Sequence, residues 1–184
     1  MSSKKIGLLG GRGYVGQEII SLLNNNNDLS IGSVYSSSKA GQPVSMDASG
    51  ETFYQDLALD KIDLGDEEAF ILALPNKKSQ QYVDLITNHN KEAIIVDLSS
   101  DHRFDKNWEY RIPELSDPVS LKKISNPGCY ASAMQFMIAP ILNILDGPVN
   151  LFGISGYSGA GASQNQRNNK ELLKDNILPY SLVK

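Results

Sequence analysis

A glycine-rich turn near the start of the chain, Gly10–Gly16, limits the sequence to few folds. It lies between a short apolar run, Lys5–Leu9, and a segment whose apolar side chains recur at helical spacing, Val15–Leu23. That order predicts a strand, a tight turn and a helix. Strand character returns at Leu29–Tyr35 after a turn-prone run of asparagines. The opening of the chain therefore predicts a βαβ unit, which requires a parallel sheet.

Strands and helices continue to alternate further along the chain. Ala69–Leu74 and Ala93–Leu98 are typical of buried strands, and Ser79–Ile86 between them has the length and spacing of a helix. The periodicity is then lost between residues 101 and 123. This alternation predicts an α/β fold in which helices cover both faces of a parallel sheet. Such sheets bind ligands at the carboxyl ends of their strands, where this chain has Gly10, Pro75 and Ser99.

Composition and charge exclude several classes of function. With 17 basic and 21 acidic residues, the chain has a formal charge of -4 and no dense stripe of Lys and Arg, which argues against nucleic-acid binding. Its longest apolar stretch is broken by polar residues and is too short to cross a bilayer. Its start lacks the features of a secretory signal, so a cytoplasmic location is expected. A single cysteine and two separated histidines predict neither a disulfide framework nor a metal site.

The glycine turn matches the pattern Gly-x-Gly-x-x-Gly from Gly11 onward, which is typical of dinucleotide binding at a helix start. An NAD site usually has Asp or Glu about 20 residues further on, whereas this chain has Ser36–Ser38 and Lys39. Hydroxyls and a cation suit a 2′-phosphate, so NADP is the predicted cofactor. An ordinary turn and a surface lysine are the alternatives. The predicted contacts in this half are Gly10, Gly13, Tyr14, Val15, Gly16, Ser36, Ser38, Lys39 and Pro75.

The second half of the chain begins with an apolar segment, Cys129–Leu145, that predicts a buried helix disturbed by Pro140. Val149–Ile154 predicts a further strand, followed by the glycine-rich stretch Gly153–Gly161. A domain boundary is expected between these two elements, which divides the chain into residues 1–147 and 148–184.

Cys129 follows Asn126, Pro127 and Gly128 at the predicted start of that helix. A free thiol is only slightly ionised at neutral pH, and a helix N-terminus favours the thiolate. This position suits a nucleophile. Free cysteine is also among the most buried residue types, so an inert buried side chain is an equal alternative on spacing alone.

Five segments of the chain together resemble one enzyme family. They are Gly10–Gly16, Asp97–Phe104, Pro113–Leu115, Ser125–Ala131 and Gly153–Gly161. In this order they are similar to the N-acetyl-gamma-glutamyl-phosphate reductases, and the resemblance covers nearly the whole chain. Asn-Pro-Gly-Cys-Tyr at residues 126–130 is the most specific of the five. The related aspartate-semialdehyde dehydrogenases typically carry Asn-Cys at the active site, which this chain lacks.

The resemblance implies a Rossmann-like NADP-binding domain that carries the nucleophile, followed by the beginning of an α+β catalytic and dimerisation domain. It implies NADPH-dependent reductive dephosphorylation of N-acetyl-gamma-glutamyl phosphate to the semialdehyde, a step of arginine biosynthesis, through a thioester on Cys129. The whole enzyme is expected to be a homo-oligomer. Arg103 is the candidate ligand for substrate phosphate or carboxylate, with a structural salt bridge as its alternative. The other implied contacts are Asn126 and Ser155 for substrate, and Ser158 and Gly159 for the cofactor, although a structural turn also explains Ser155–Gly161.

The chain departs from the family pattern after Leu178–Tyr180, where the family usually continues with His-x-His that serves in acid/base catalysis. His89 and His102 are not credible replacements. We therefore expect these 184 residues alone to bind NADP without useful turnover. The alternative functions are a chain that only binds NADP, an enzyme like aspartate-semialdehyde dehydrogenase, and a nucleotide-sensing domain that needs no reactive cysteine.

Overall fold

A computed structural model describes residues 3–45, 47, 49–117 and 121–179, so Tyr180 of the Leu178–Tyr180 segment lies outside the described residues. The chain divides into two compact units, residues 1–145 and 146–184. The division is close to the predicted boundary. The assignment of separate roles to the two parts stays a prediction.

Seven parallel strands form the sheet of the first unit. They are β1 (Lys4–Leu9), β2 (Leu29–Ser36), β3 (Tyr54–Asp56), β4 (Ala69–Leu72), β5 (Ile94–Asp97), β6 (Glu109–Tyr110) and β7 (Lys123–Ser125). Their order across the sheet is β3-β2-β1-β4-β5-β7-β6, and every described pair is parallel. The predicted parallel sheet is confirmed. The strand order reverses between β1 and β4, as in a Rossmann-like fold, and ligands bind at such a switch point.

Two helices cover opposite faces of this sheet, which confirms the second part of the fold prediction. Helix α1 spans Tyr14–Asn24 and helix α2 spans Gln80–His89. Neighbouring side chains of a strand point to opposite faces. Leu8 of β1 packs in one core cluster with Ile20 of α1, whereas Leu9 packs in the other with Ile86 of α2.

The predicted helix from Cys129 to Leu145 is only partly correct. Helix α3 spans Cys129–Ile138, and a 3-10 helix continues from Ala139 to Ile144. The disturbance expected at Pro140 is confirmed, because an interior proline removes a backbone donor and crowds the preceding turn. The expected burial is wrong: α3 has no buried residue, and Phe136 and Met137 are exposed. An apolar composition indicates that a helix can be buried, but whether it is buried depends on what packs against it.

The second unit contains 3-10 helices at Tyr157–Ala160 and Gln166–Asn168. The strand predicted at Val149–Ile154 is wrong, since these residues are in irregular structure. Apolar alternation does not make a strand unless a partner accepts its backbone hydrogen bonds, and no pairing of residues 149–154 occurs in the described part of the chain. Within the described ranges, no helix is long and apolar enough to cross a membrane.

Candidate active site

The glycine turn is shaped by contacts within the protein at two of its predicted positions. Gly10 has a φ of +89°, and a Cβ there would lie 2.2 Å from the Ala73 carbonyl oxygen. A Cβ on Gly16 would lie 2.7 Å from the Gly10 carbonyl oxygen. Gly10 therefore permits the turn beside β4, and Gly16 lets α1 pack closely against the turn.

Gly13 differs, because the protein itself gives no reason for glycine there. Its φ is -64°, and a Cβ would meet only the Gly10 carbonyl oxygen, at an ordinary 3.5 Å. Gly13 is the residue that precedes α1, and no side chain caps that helix. Tyr14 and Val15 are both exposed at its first turn. An open glycine and uncapped helix N–H groups fit the close approach of a dinucleotide pyrophosphate.

The segment predicted to select NADP lies beside this turn. The amides of Gly10 and Gly11 both donate to the Tyr35 carbonyl oxygen, at 3.0 and 3.1 Å. The end of β2 is thereby held next to the turn. Ser36 is buried and accepts a hydrogen bond from the Ser38 amide at 3.4 Å, while Ser38 and Lys39 are exposed. The exposed pair can reach a ligand, and Ser36 shapes the backbone that presents it.

Pro75 lies on the loop that follows β4, the strand next to β1 across the switch point, and it is exposed. The same loop contains Lys77, whose φ of 67° is unusual for a residue with a side chain. Its amide donates to the Asp101 carboxylate at 2.6 Å. The loop after β4 is thus tied to the loop after β5.

Cys129 is the first residue of α3 and is exposed. The burial assumed by the alternative is therefore wrong, and the reactivity of the thiol stays a prediction. No side chain caps the helix, and the Asn126 amide group instead donates to the Pro127 carbonyl at 2.9 Å. Asn126 therefore braces the turn that presents the thiol.

Arg103 lies against that same turn. Its Nε donates to the Asn126 carbonyl and its Nη2 to the Leu98 carbonyl, each at 3.2 Å. A Cβ added to Gly128 would lie 3.0 Å from Nη1. The bonds go to carbonyl groups rather than to a carboxylate, so the salt-bridge alternative is not what the structure shows. A guanidinium has five N–H donors, which leaves donors for an anion near Cys129.

A buried polar cluster behind this edge was not predicted. Asp97, the last residue of β5, is fully buried. Its carboxylate lies within hydrogen-bond distance of the Ser79 hydroxyl (3.0 Å), the Ser99 amide (3.0 Å) and hydroxyl (2.8 Å), and His102 Nδ1 (2.7 Å). A polar residue that ends a buried strand was the only signal for it in the sequence.

The two histidines are both engaged elsewhere. His102 is buried within the cluster, and His89 Nε2 lies 3.0 Å from the Gly65 carbonyl oxygen. The expectation that neither histidine is the acid/base group stays a prediction.

Asp101 extends the cluster toward solvent. Burial disfavours its ionised form, but the amides of Lys77 and Ser79, the Ser79 hydroxyl and the nearby His102 favour that form more strongly. The pKa of Asp101 is therefore held below its usual value of 3.8. A carboxyl with a lowered folded-state pKa stabilises the fold fully above its unfolded pKa and loses that contribution as the pH falls through the folded value.

We therefore expect Asp101→Asn to lower the free energy of unfolding at pH 7, with a difference from wild type that shrinks below about pH 4. Urea denaturation at several pH values measures this difference. Asp60→Asn, at an exposed carboxyl on the loop after β3, is the control and should show little change. A difference for Asp101→Asn that stays constant between pH 7 and pH 3.5 would contradict the assignment.

Ser155, Ser158 and Gly159 belong to the second unit. Ser158 and Gly159 lie in its first 3-10 helix, and a Cβ on Gly159 would lie 2.3 Å from the Ser155 hydroxyl. That contact gives the glycine a local structural role. Their proposed contacts with cofactor and substrate stay predictions.

Models of two protein-domain families match this chain. Residues 5–124 match the NAD binding domain of semialdehyde dehydrogenase, and residues 129–184 match the semialdehyde dehydrogenase dimerisation domain. Cys129 is the first residue of the second match, whereas the sequence prediction assigned it to the first domain.

Relatives with established names cover nearly all of the chain. The N-acetyl-gamma-glutamyl-phosphate reductase of Xanthomonas axonopodis pv. citri is 44% identical over 98% of this chain and 58% of its own length. That of Stenotrophomonas maltophilia is 42% identical over 99% of this chain and 59% of its own length. Protein arg11, mitochondrial, of Schizosaccharomyces pombe is 42% identical over 100% of this chain and 22% of its own length. The resemblance predicted from the motifs is confirmed, and the chain spans less than two thirds of each of these relatives.

Solved structures support the fold. Aspartate semialdehyde dehydrogenase II from Vibrio cholerae, complexed with ASA, has a TM-score of 0.65 at 16% identity, covering 77% of this chain and 47% of that one. The Candida albicans aspartate semialdehyde dehydrogenase with NADP has a TM-score of 0.59 at 16% identity, covering 78% and 48%. The parallel sheet and the glycine turn agree with the family model that matches residues 5–124. This chain belongs to the semialdehyde dehydrogenase family.

Proposed function

We propose that the protein takes part in the NADPH-dependent reduction of N-acetyl-gamma-glutamyl phosphate to the semialdehyde. The observation that carries the proposal is the exposed thiol of Cys129 at the start of α3, beside the Arg103 guanidinium. Relatives of that name at 42% to 44% identity support the choice of substrate. The chain spans 58% and 59% of the length of those relatives, so the activity of the whole enzyme is proposed here and is not taken from their names.

The chemistry follows from the residues at this edge. The Cys129 thiolate attacks the acyl carbon, a C–S bond forms, and the bond between the acyl carbon and the phosphate oxygen breaks. Phosphate leaves with that electron pair, and the acyl group remains as a thioester. Arg103 binds the departing phosphate or the substrate carboxylate through the N–H groups that the Leu98 and Asn126 carbonyls do not use.

The glycine turn, the first turn of α1 and the exposed residues Ser38 and Lys39 would hold the cofactor. Gly13 supports this assignment, since its missing side chain leaves room that no protein group fills. When bound, NADPH supplies the hydride that reduces the thioester. NADP is proposed over NAD because the end of β2 offers hydroxyls and a cation where NAD sites carry a carboxylate.

Cofactor selection is tested by Lys39→Glu. The change places a carboxylate where the 2′-phosphate would lie, so NADP affinity should fall about tenfold or more while NAD affinity changes little. Fluorescence titration of NADPH and NADH at one salt concentration measures both. Lys91→Glu is the matched control, since Lys91 is exposed and precedes β5 at the amino end of the sheet. Equal affinities of the wild-type chain for the two cofactors would contradict the proposal.

Gly13→Ala separates binding from folding. The added methyl group meets only one ordinary contact in the protein, so the free energy of unfolding should fall by no more than about 1 kcal/mol. NADPH affinity should fall at least about tenfold, because the methyl group occupies the approach to the pyrophosphate. Gly16→Ala, which crowds the Gly10 carbonyl, should instead lose stability. Unchanged NADPH affinity in a folded Gly13→Ala protein would contradict the proposal that the pyrophosphate binds at this turn.

The alternatives receive less support. The solved structures named as aspartate-semialdehyde dehydrogenases have 16% and 19% identity to this chain, which supports the fold and not that substrate. A nucleotide-sensing domain would give no reason for an exposed cysteine at an uncapped helix start.

Assembly and location are also part of the proposal. We expect a homo-oligomer, supported by the match to a dimerisation domain. The mass in solution, measured by light scattering, tests it. The cytoplasmic location stays a prediction, since the name of the S. pombe relative places that protein in the mitochondrion.

A further inference from the structure

His102 and Arg103 are consecutive residues with opposite surroundings. His102 is buried, and its ring stacks on Trp108 with centroids 4.0 Å apart and an interplanar angle of 14°. Arg103 is partly exposed and contacts the turn that precedes Cys129. One residue is thus fixed in the interior, and the next lies against the turn that precedes the proposed nucleophile.

Three contacts fix the His102 ring. Nδ1 lies 2.7 Å from the Asp97 carboxylate at the end of β5, and Nε2 lies 2.9 Å from Gln80 Oε1 in the first turn of α2. Gln80 is itself oriented, since its Nε2 donates to the Asp84 carboxylate at 2.8 Å. His102 therefore ties β5 to α2, and the stacked Trp108 ring closes a third side.

Because Arg103 follows His102 directly in the chain, the contacts of His102 also restrict the position of the Arg103 backbone. Its guanidinium spans from the Leu98 carbonyl, after β5, to the Asn126 carbonyl, after β7. The side chain makes these two bonds only while the 98–103 loop keeps its position. Arg103 itself is partly exposed and is held only by hydrogen bonds to carbonyl groups. The buried contacts that keep the loop in place are those of His102.

We propose that His102 is a positioning residue: through Asp97, Gln80 and Trp108 it holds the Arg103 charge against the Gly128–Cys129 turn. The inference rests on the proposed role of Cys129 as the nucleophile. It adds a positioning role for His102, for which the sequence predicted no function. The charge beside the thiol can be measured whether or not the complete reaction occurs, so the two proposals fail separately.

The test compares two reagents that alkylate Cys129, anionic iodoacetate and neutral iodoacetamide, on the 184-residue chain. The rate constant for iodoacetate divided by that for iodoacetamide rises with positive charge next to the thiol. Changes in general thiol reactivity affect both reagents and cancel in this ratio. Arg103→Gln sets the scale and should lower the ratio roughly two- to fivefold, the size of effect that one unit charge a few ångströms away has in water. The thermal midpoint of each variant is measured in parallel.

His102→Phe keeps an aromatic ring against Trp108 and removes both hydrogen bonds. The ratio should fall toward that of Arg103→Gln, and the double variant should fall no further. His89→Phe, at the other histidine of the chain, should leave the ratio unchanged. A wild-type ratio in His102→Phe contradicts the proposal even if the thermal midpoint falls, because the residue would then be merely structural. An additional loss in the double variant also contradicts it.

Gln80→Ala keeps the inference testable if His102→Phe does not fold. Gln80 is exposed, so its removal should leave the fold intact while the His102 ring loses its Nε2 partner. A partial fall in the ratio supports the proposal. A ratio equal to that of the wild type in this variant overturns it.

Discussion

Asp97→Ala is expected to lower the free energy of unfolding by about 3 kcal/mol or more. The substitution removes a fully buried carboxylate and leaves Ser79, Ser99 and His102 without their shared acceptor. A buried donor that loses its partner costs about 1–3 kcal/mol. Since several lose it together, the effect should exceed that of an ordinary polar substitution. Urea denaturation followed by circular dichroism measures the change.

Asp97→Asn refines this prediction. Its amide oxygen can still accept from Ser79 and the Ser99 amide, and its NH₂ group can donate to His102 Nδ1. The His102 Nε2–H can then still donate to Gln80, so the loss should be clearly smaller than in Asp97→Ala. Asp66→Ala is the control, because its ion pair with Lys5 is exposed and should contribute no more than about 1 kcal/mol. Equal effects of Asp97→Ala and Asp66→Ala would contradict the role given to the buried cluster.

The second large effect concerns the covalent step. Wild-type protein mixed with an acyl phosphate should release inorganic phosphate in a burst that approaches one equivalent of Cys129, without NADPH. Cys129→Ser should abolish the burst, because a serine hydroxyl without an adjacent base is not ionised at neutral pH. Rapid-quench phosphate assays give both amplitudes. Serine replaces sulfur with oxygen at an exposed position, so the thermal midpoint should be unchanged. A full burst in Cys129→Ser would assign the acyl group to another residue.

The parts of the fold that follow a clear periodicity were predictable from the sequence. Leu8 and Leu9 belong to a short, continuous apolar run of the kind typical of a buried strand, and the glycine turn that follows marks where α1 begins. Strands β3 and β6 contain three and two residues, too few for any periodicity. Their assignment depends on pairing with neighbouring strands. Burial of α3 was wrongly expected for a related reason, since the sequence does not specify what packs over a helix.

The site divides in the same way. Gly13 and Cys129, whose roles stay predictions, were predicted as candidates because each lies in a short segment whose own pattern suggests a chemistry. The Asp97 cluster was not, because its contacts join residues that are distant in sequence: Ser79 lies 18 residues before Asp97, and Gln80 lies 22 residues before His102. The sequence could not reveal the bonds of Arg103 to carbonyl groups either, since any segment has carbonyl groups to offer. Local motifs were enough to propose candidate residues, whereas the contacts that position them required the structure.

The most direct test of the proposed function is mass spectrometry of protein treated with N-acetyl-gamma-glutamyl phosphate and then digested. The acyl group should be found on the peptide that contains Cys129, bound as a thioester that hydroxylamine removes at neutral pH. Cys129→Ser should carry none, and Arg103→Gln should acylate more slowly. An acyl group on another side chain, or an unmodified Cys129 after prolonged exposure of the folded protein to excess acyl phosphate, would contradict the assignment of Cys129 as the nucleophile.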